Sequence, residues 1–231
     1  MTGGAQRIGR AICLSLAERG FNIALHYNHS KKEALELARE ISSKGVICEI
    51  FACDLAKEKE VLLLLEKAAR RFNGLNLLIN NASIFIPSKF ERKELKLLDE
   101  HWMVNFKTPF ILSADFARLC KQGQIINILD TKVTKNKTTH IAYIISKKAL
   151  HELTKLCAVE FAPKIRVNGI APGIILPPPG KNGNYLKKRA DEIPLKKSGD
   201  VDFITRSVEF LLDNEFVTGQ VIFADGGEHL V

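Results

Sequence analysis

Short apolar runs alternate along this chain with longer segments in which apolar residues recur every three to four positions. The runs FNIALHY (21–27), VICEIFACD (46–54), LNLLINNAS (75–83), QIINIL (124–129), IRVNGIAPG (165–173) and QVIFADGG (220–227) are rich in Ile, Val, Leu or Phe. Each closes on turn-forming or polar residues, the signature of a buried strand. The amphipathic segments between them predict helices over 7–19, 31–44, 57–72, 96–120, 140–162 and 200–213. Parallel neighbours need crossovers, so strand and helix in alternation predict an α/β fold, a doubly wound parallel sheet with helices on both faces. No stretch has a linker's composition, and 1–231 reads as a single domain. The stretch PGIILPPPGKNGNY (172–185) is too rich in proline and glycine for regular structure and predicts a mobile flap over a site.

Composition narrows the function classes. With 231 residues, 46% apolar and 26% charged, the chain can bury a large core. It has no unbroken apolar run of membrane-spanning length and no charged-then-apolar leader pattern, which implies a cytoplasmic protein without a membrane partner. Cysteines 13, 48, 53, 120 and 157 form no CxxC and are odd in number, so they read as reduced thiols. The net charge of +8 favours anionic partners, but the lysines are interleaved with glutamates, as in KKEALELARE and EKAARRF. That is the look of solvated helix faces; an anionic small molecule, and no nucleic acid, is the expected partner. His26, His29, His101, His140, His151 and His229 lack metal-ligand spacing, and no metal is assigned.

In an open parallel sheet, ligands bind beyond the carboxyl ends of the strands. Four clusters fall there. Thr2-Gly3-Gly4-Ala5-Gln6-Arg7-Ile8-Gly9 is a glycine-rich turn leading into a helix whose free N–H groups favour a pyrophosphate. Some twenty residues on, where an NAD site would carry Asp or Glu for the ribose hydroxyls, the strand ends Tyr27-Asn28-His29-Ser30-Lys31-Lys32. Neutral donors and cations attract a 2′-phosphate, which favours NADP(H); Ser30 is also a candidate helix cap. The third cluster is Asn80-Asn81-Ala82-Ser83. In the fourth, Tyr143 and Lys147 share one helix face, and a nearby cation is expected to lower the phenol pKa from about 10.

In order and spacing, TGxxxxIG, NNAS, YxxxK, IRVNGIAPG and VTGQVIFADGG resemble the short-chain dehydrogenase/reductases over essentially the whole chain. The resemblance implies a Rossmann-like fold, usually tetrameric, in which Tyr143 exchanges a proton with substrate. Lys147 would hold the nicotinamide ribose and tune Tyr143; Asn105, in HWMVNF, would position that lysine through water. Asp54 would meet the adenine and Asn81 the adjacent ribose. The implied cofactor-binding set is Gly3, Arg7, Ile8, Tyr27, Asn28, His29, Ser30, Asp54, Leu55, Asn81, Ala82, Ser83, Lys147, Pro172, Gly173 and Ile174.

Two departures narrow the likeness. Arg7 stands where most of these enzymes have glycine, and Asp130, thirteen residues before Tyr143, where they have serine. Both, with NNASIF, HIAYIISK and the closing FVTG…DGGEHL, resemble the pteridine reductases and bacterial dihydromonapterin reductases. By this likeness Phe85 would stack on a pterin opposite the nicotinamide, with Arg7 and Ser83 near the pterin and the cofactor phosphates. Each also has a plainer reading: Phe85 as a core aromatic, Arg7 as a surface cation, Asp130 as the start of an Asx-turn. The implied function is NADPH-dependent reduction of a dihydropterin (dihydromonapterin, dihydrobiopterin or dihydrofolate), with hydride from nicotinamide and a proton through Tyr143 and Asp130. In that role Asp130 should take up a proton more readily when substrate excludes water. The flap and Glu228 to Val231 are expected to shape selectivity. The alternatives are a general short-chain carbonyl reductase, an impaired NADP-binding protein and a nucleic-acid module.

One feature of the fold is unaccounted for. The resemblance expects an apolar central strand leading into Thr2-Gly3, and only Met1 precedes it. The polypeptide is therefore expected to begin upstream; without that strand its two neighbours would face a gap, fold poorly, or re-pair.

Overall fold

The computed structural model describes residues 1–178, 180 and 183–231. Helices α1 (Arg7–Glu18), α2 (Lys31–Ser42) and α3 (Glu58–Phe72) alternate with strands β1 (Ile23–Tyr27), β2 (Cys48–Ala52) and β3 (Leu77–Asn80). Then come α4 (Leu95–Trp102), α5 (Thr108–Leu119), β4 (Gly123–Ile128), α6 (Ile141–Glu160), β5 (Ile165–Pro172), α7 (Gly183–Ala190), α8 (Val201–Asp213) and β6 (Val221–Ala224). All strand pairs are parallel: β1 beside β2, and β3-β4-β5-β6 in order.

Strand side chains alternate between two buried layers. Ile79, Ile126 and Ile170 pack with Ile12 and Leu16 of α1 and Ile204 and Val208 of α8. Leu78, Ile125 and Val167 pack with Leu64 of α3, Phe116 of α5 and Leu150 of α6. Consecutive apolar residues within one strand thus serve opposite faces, which is why these runs read as continuously hydrophobic.

Two predicted segments differ. The helix expected over 96–120 runs without interruption through α4 and α5 but widens into a π-turn between them, Met103–Lys107. Pro109 has no N–H to give the carbonyl four residues back, that of Asn105, and its ring crowds it. A widened turn absorbs the conflict and buries Asn105. Within the stretch expected to be irregular, α7 forms from Gly183 onward; Pro179, Lys181 and Asn182 lie outside the described residues.

The sheet is split where the central strand was expected. The first residues join the two halves: the Met1 ammonium donates to the Ala24 carbonyl (3.0 Å), His26 N–H to the Met1 carbonyl (3.0 Å) and Gly4 N–H to the His26 carbonyl (3.1 Å). On the other side, Thr2 N–H donates to the Ile79 carbonyl (3.0 Å). Beyond them β1 and β3 do not re-pair, and a slot of about 630 Å³ opens between apolar walls that include Leu16, Leu64, Leu65, Ala68 and Leu112. By the alternation of a parallel ladder, Ala24 N–H and the Leu77 N–H and C=O face this slot without a strand neighbour.

His26 braces the stitched end. Its Nδ1 accepts from Gly3 N–H (3.0 Å), so its Nε2, 2.9 Å from the Cys53 carbonyl, carries the proton and donates. Burial holds the ring neutral, pushing its pKa down from 6.5 to about 4.

For His26, the folded state binds fewer protons than the unfolded one between about 6.5 and 4, so stability is present above that window and falls with pH through it. In chemical unfolding His26→Gln should flatten this loss, worth up to about 3 kcal/mol.

Candidate active site

The carboxyl ends of β1, β3, β4 and β5 and the start of α1 enclose a cleft of about 550 Å³. At one end the Thr2–Gly9 turn is pinned to the exit of β3. Thr2 Oγ1 accepts from Asn81 N–H (2.9 Å) and Ala82 N–H (3.1 Å), while the Asn81 amide donates to the Thr2 and Gly3 carbonyls (3.0 and 2.9 Å). A Cβ on Gly9 would lie 2.3 Å from the Gly3 carbonyl oxygen, and one on Gly3 would lie 2.9 Å from Ala82 Cα. Both glycines are therefore required for the closeness of turn, helix and strand exit. Gln6 caps α1 with no side-chain bond, leaving first-turn N–H groups facing the cleft. Arg7 has a left-handed φ of 53°, which explains glycine's usual preference there; its guanidinium donates to the Pro177 carbonyl (3.0 Å), tying the turn to the segment after β5.

At the end of the cleft beside β1 the wall is Tyr27, Asn28, His29, Ser30, Asp54 and Leu55. Asn28 and His29 are exposed and no carboxylate ends β1. Ser30 occupies the N-cap position of α2, as expected, but makes no side-chain cap bond.

At the other end three distant residues converge. The Tyr143 hydroxyl, on the first turn of α6, donates to Asp130 Oδ2 (2.7 Å), just past β4. The Lys147 ammonium, fully buried, donates to the Ile128 carbonyl (2.7 Å) and lies 5.9 Å from the Tyr143 ring centroid. Asp130 also forms the expected Asx-type turn, accepting from Lys132 N–H (2.8 Å), so the turn and the contact with Tyr143 coexist. Burial pushes Lys147 down to about 8.

The sequence-based expectation for the tyrosine is reversed. Its pKa is raised well above the ordinary value, chiefly by burial and then by the Asp130 carboxylate that accepts its proton. The Lys147 ammonium bonds to the Ile128 carbonyl and makes no hydrogen bond to the phenol oxygen. Tyr143 is held as a proton-bearing acid.

Asn105 makes no direct bond to Lys147. Its Oδ1 accepts from Ile84 N–H (2.9 Å) and Ser83 Oγ (3.1 Å), and its amide donates to the Ile84 carbonyl (3.0 Å) and Ser146 Oγ (3.1 Å). It clamps the β3 exit, which carries Ser83 and Phe85, onto α6. Phe85 is not a core aromatic: it is 46% exposed, edge-on to Tyr143 (4.6 Å between centroids) and stacked on His140 (4.2 Å, 4°).

Every expected cofactor residue lines this cleft except Ile174. Ile174 lies at a bend, its carbonyl accepting from Gly199 N–H (2.9 Å), and Ile175 and Leu176 take the wall instead. Three contributors escaped sequence reasoning. His26 is a polar residue inside an apolar run, a usable signal; His140 and Lys132 sit in a loop whose path no periodicity reveals.

Comparison with known proteins agrees with this geometry. Residues 3–229 match the model of the family described as Enoyl-(Acyl carrier protein) reductase. A 3-oxoacyl-[acyl-carrier-protein] reductase FabG of Staphylococcus epidermidis is 30% identical over 100% of this chain and 98% of its own length. The uncharacterized oxidoreductase YohF of Escherichia coli is 32% identical over 98% of this chain and 93% of its own. Among solved structures, the FolM alternative dihydrofolate reductase 1 of Brucella suis, in complex with NADP, superposes with a TM-score of 0.94 at 36% identity, covering 100% of this chain and 94% of that one. The Brucella canis counterpart, also complexed with NADP, gives 0.93 at 36% identity. With a glycine-rich turn, a buried lysine and a phenol set around one cleft, this chain belongs to the short-chain dehydrogenase/reductase family of oxidoreductases.

Proposed function

We propose that this protein is an NADPH-dependent reductase of a dihydropterin such as dihydromonapterin, dihydrobiopterin or dihydrofolate, acting as one reductase domain in a cytoplasmic homotetramer. The observation that carries the pterin reading is the Tyr143–Asp130 hydrogen bond, a carboxylate where the general family has serine. The likeness to NADP-bound alternative dihydrofolate reductases supports it.

The chain's donor set fits NADP(H). First-turn N–H groups and Arg7 suit the phosphates, the acid-free end of β1 suits a 2′-phosphate, and Asp54 suits the adenine. Lys147 would hold the nicotinamide ribose. When bound, the dinucleotide supplies hydride; the remaining work is the protein's. Reducing a C=N bond also needs a proton at nitrogen. Phe85 offers a flat, half-exposed face beside Tyr143, against which a planar ring is oriented once His140 moves aside. Tyr143 gives its phenolic proton to the ring nitrogen, and Asp130, able to carry a proton where serine can only hydrogen-bond, restores it from solvent. The carbonyl-reductase alternative uses the same Tyr143 without requiring Asp130.

Purified protein with NADPH and a panel of dihydropterins should oxidise NADPH, followed by absorbance; silence with every pterin but turnover of a keto-ester would transfer the protein to the carbonyl reductases. Tyr143→Phe and Asp130→Asn should each lower pterin kcat/KM by about 100-fold or more while NADPH binding, read by fluorescence, is retained. Full activity in Asp130→Asn would remove its proton role. A second outcome concerns the cofactor: Ser30→Asp should cut the preference for NADPH over NADH by about tenfold or more, since a carboxylate repels the 2′-phosphate. An unchanged ratio of kcat/KM values for the two cofactors would place the 2′-phosphate elsewhere.

A further inference from the structure

Asp130 has a partner that the proposed chemistry does not use. The Lys132 ammonium straddles its carboxylate, 3.2 Å from Oδ1 and 3.3 Å from Oδ2. The same nitrogen lies 5.2 Å from the centroid of the Phe85 ring. Among the described residues this is the one ion pair of Asp130. Both side chains are largely withdrawn from water, Asp130 at 17% and Lys132 at 30% exposure, so the attraction is less screened than in a surface pair.

We propose that Lys132 is a positioning residue of this site, whose ammonium keeps the Asp130 carboxylate charged as it accepts from the Tyr143 hydroxyl. The assignment rests on the reading of Asp130 and Tyr143 as the proton pair. It separates two jobs that one residue performs: the Lys132 backbone N–H forms the turn at Asp130 (2.8 Å), and the side chain sets its charge. Without the turn the carboxylate would lose its direction; without the ammonium it would keep its direction and bind a proton more readily.

The other groups facing Asp130 do not supply this balance. From α6 come Tyr143, which donates a neutral hydrogen bond, and Lys147, whose ammonium is bonded to the Ile128 carbonyl. His140, ahead of α6, is stacked on Phe85, and burial lowers its pKa, so it is neutral near pH 7. His101 of α4 meets the Tyr143 ring edge-on at 6.3 Å and bonds to the Leu97 carbonyl and Ile86 N–H. On the C-terminal turn Glu228, reached through Thr131 Oγ1 (3.4 Å), is itself held by Arg189. Lys132 is thus the cation in contact with the proton-relay carboxylate. It also lies 5.2 Å from the centroid of the Phe85 ring, against which substrate is proposed to stack.

The test compares wild type with Lys132→Gln and Lys132→Arg, both of which keep the backbone turn. In carbon-13 NMR of protein labelled at aspartate carboxyls, with the Asp130 signal assigned by its loss in Asp130→Asn, the titration midpoint of Asp130 should rise by about one pH unit in Lys132→Gln and return in Lys132→Arg. The limb of the pterin kcat/KM profile that Asp130→Asn abolishes should move upward by the same amount. An unmoved Asp130 midpoint in Lys132→Gln overturns the proposal, whatever happens to activity. Absence of pterin turnover in the wild type, with the NMR shift present, would instead overturn the pterin reading and leave the assignment of Lys132 standing.

Discussion

The site depends on keeping a phenol, an ammonium and a carboxylate together at a place largely stripped of water. Tyr143 and Lys147 are buried on one face of α6, and neither could be so without a partner for its polar end. The Ile128 carbonyl takes the ammonium and Asp130 takes the hydroxyl, and both partners belong to the end of β4 and the turn after it. Packing α6 against this one strand exit therefore satisfies the buried polar groups and assembles the acid in a single step. The reversal of the expected phenol shift follows from the same fact: burial and an accepting carboxylate favour the protonated form more than a lysine bonded elsewhere favours the phenolate.

What surrounds that core is held by side chains borrowed from other elements. α6 begins at His140 without a cap of its own, and Ser88, from the loop after β3, accepts from Ala142 N–H (3.0 Å) in its place. Asn105 binds that loop on both its polar atoms, and it can do so because the π-turn forced by Pro109 aims it there. A local conflict in helix geometry thus positions Phe85 and Ser83 beside Tyr143. His26, kept neutral by burial, does the equivalent for the Thr2–Gly9 turn.

Between the two parts of the sheet, Met1 and Gly4 bond to β1 and Thr2 to the end of β3, and the helices above and below complete two continuous apolar layers. The turn that follows Thr2 keeps its shape through side-chain bonds from Asn81 and His26, so the cleft is formed although the ladder beneath it is interrupted.

The order of strands and helices, the parallel sheet, and the four clusters at strand ends were all legible from residue type and spacing, because burial on both faces imposes continuous apolar runs and crossovers impose helical periods. The pairing of Tyr143 with Asp130 was legible only through family resemblance, since they lie on separate elements joined by an irregular loop. Other features depended on tertiary contact: the turn of α7 inside a proline-rich stretch, the stacking of His140 on Phe85, and the ion pair of Lys132 with Asp130. These were decided by three-dimensional packing because hydrogen-bond direction and charge state follow from what lies across a gap in space, and a sequence records only what lies along the chain.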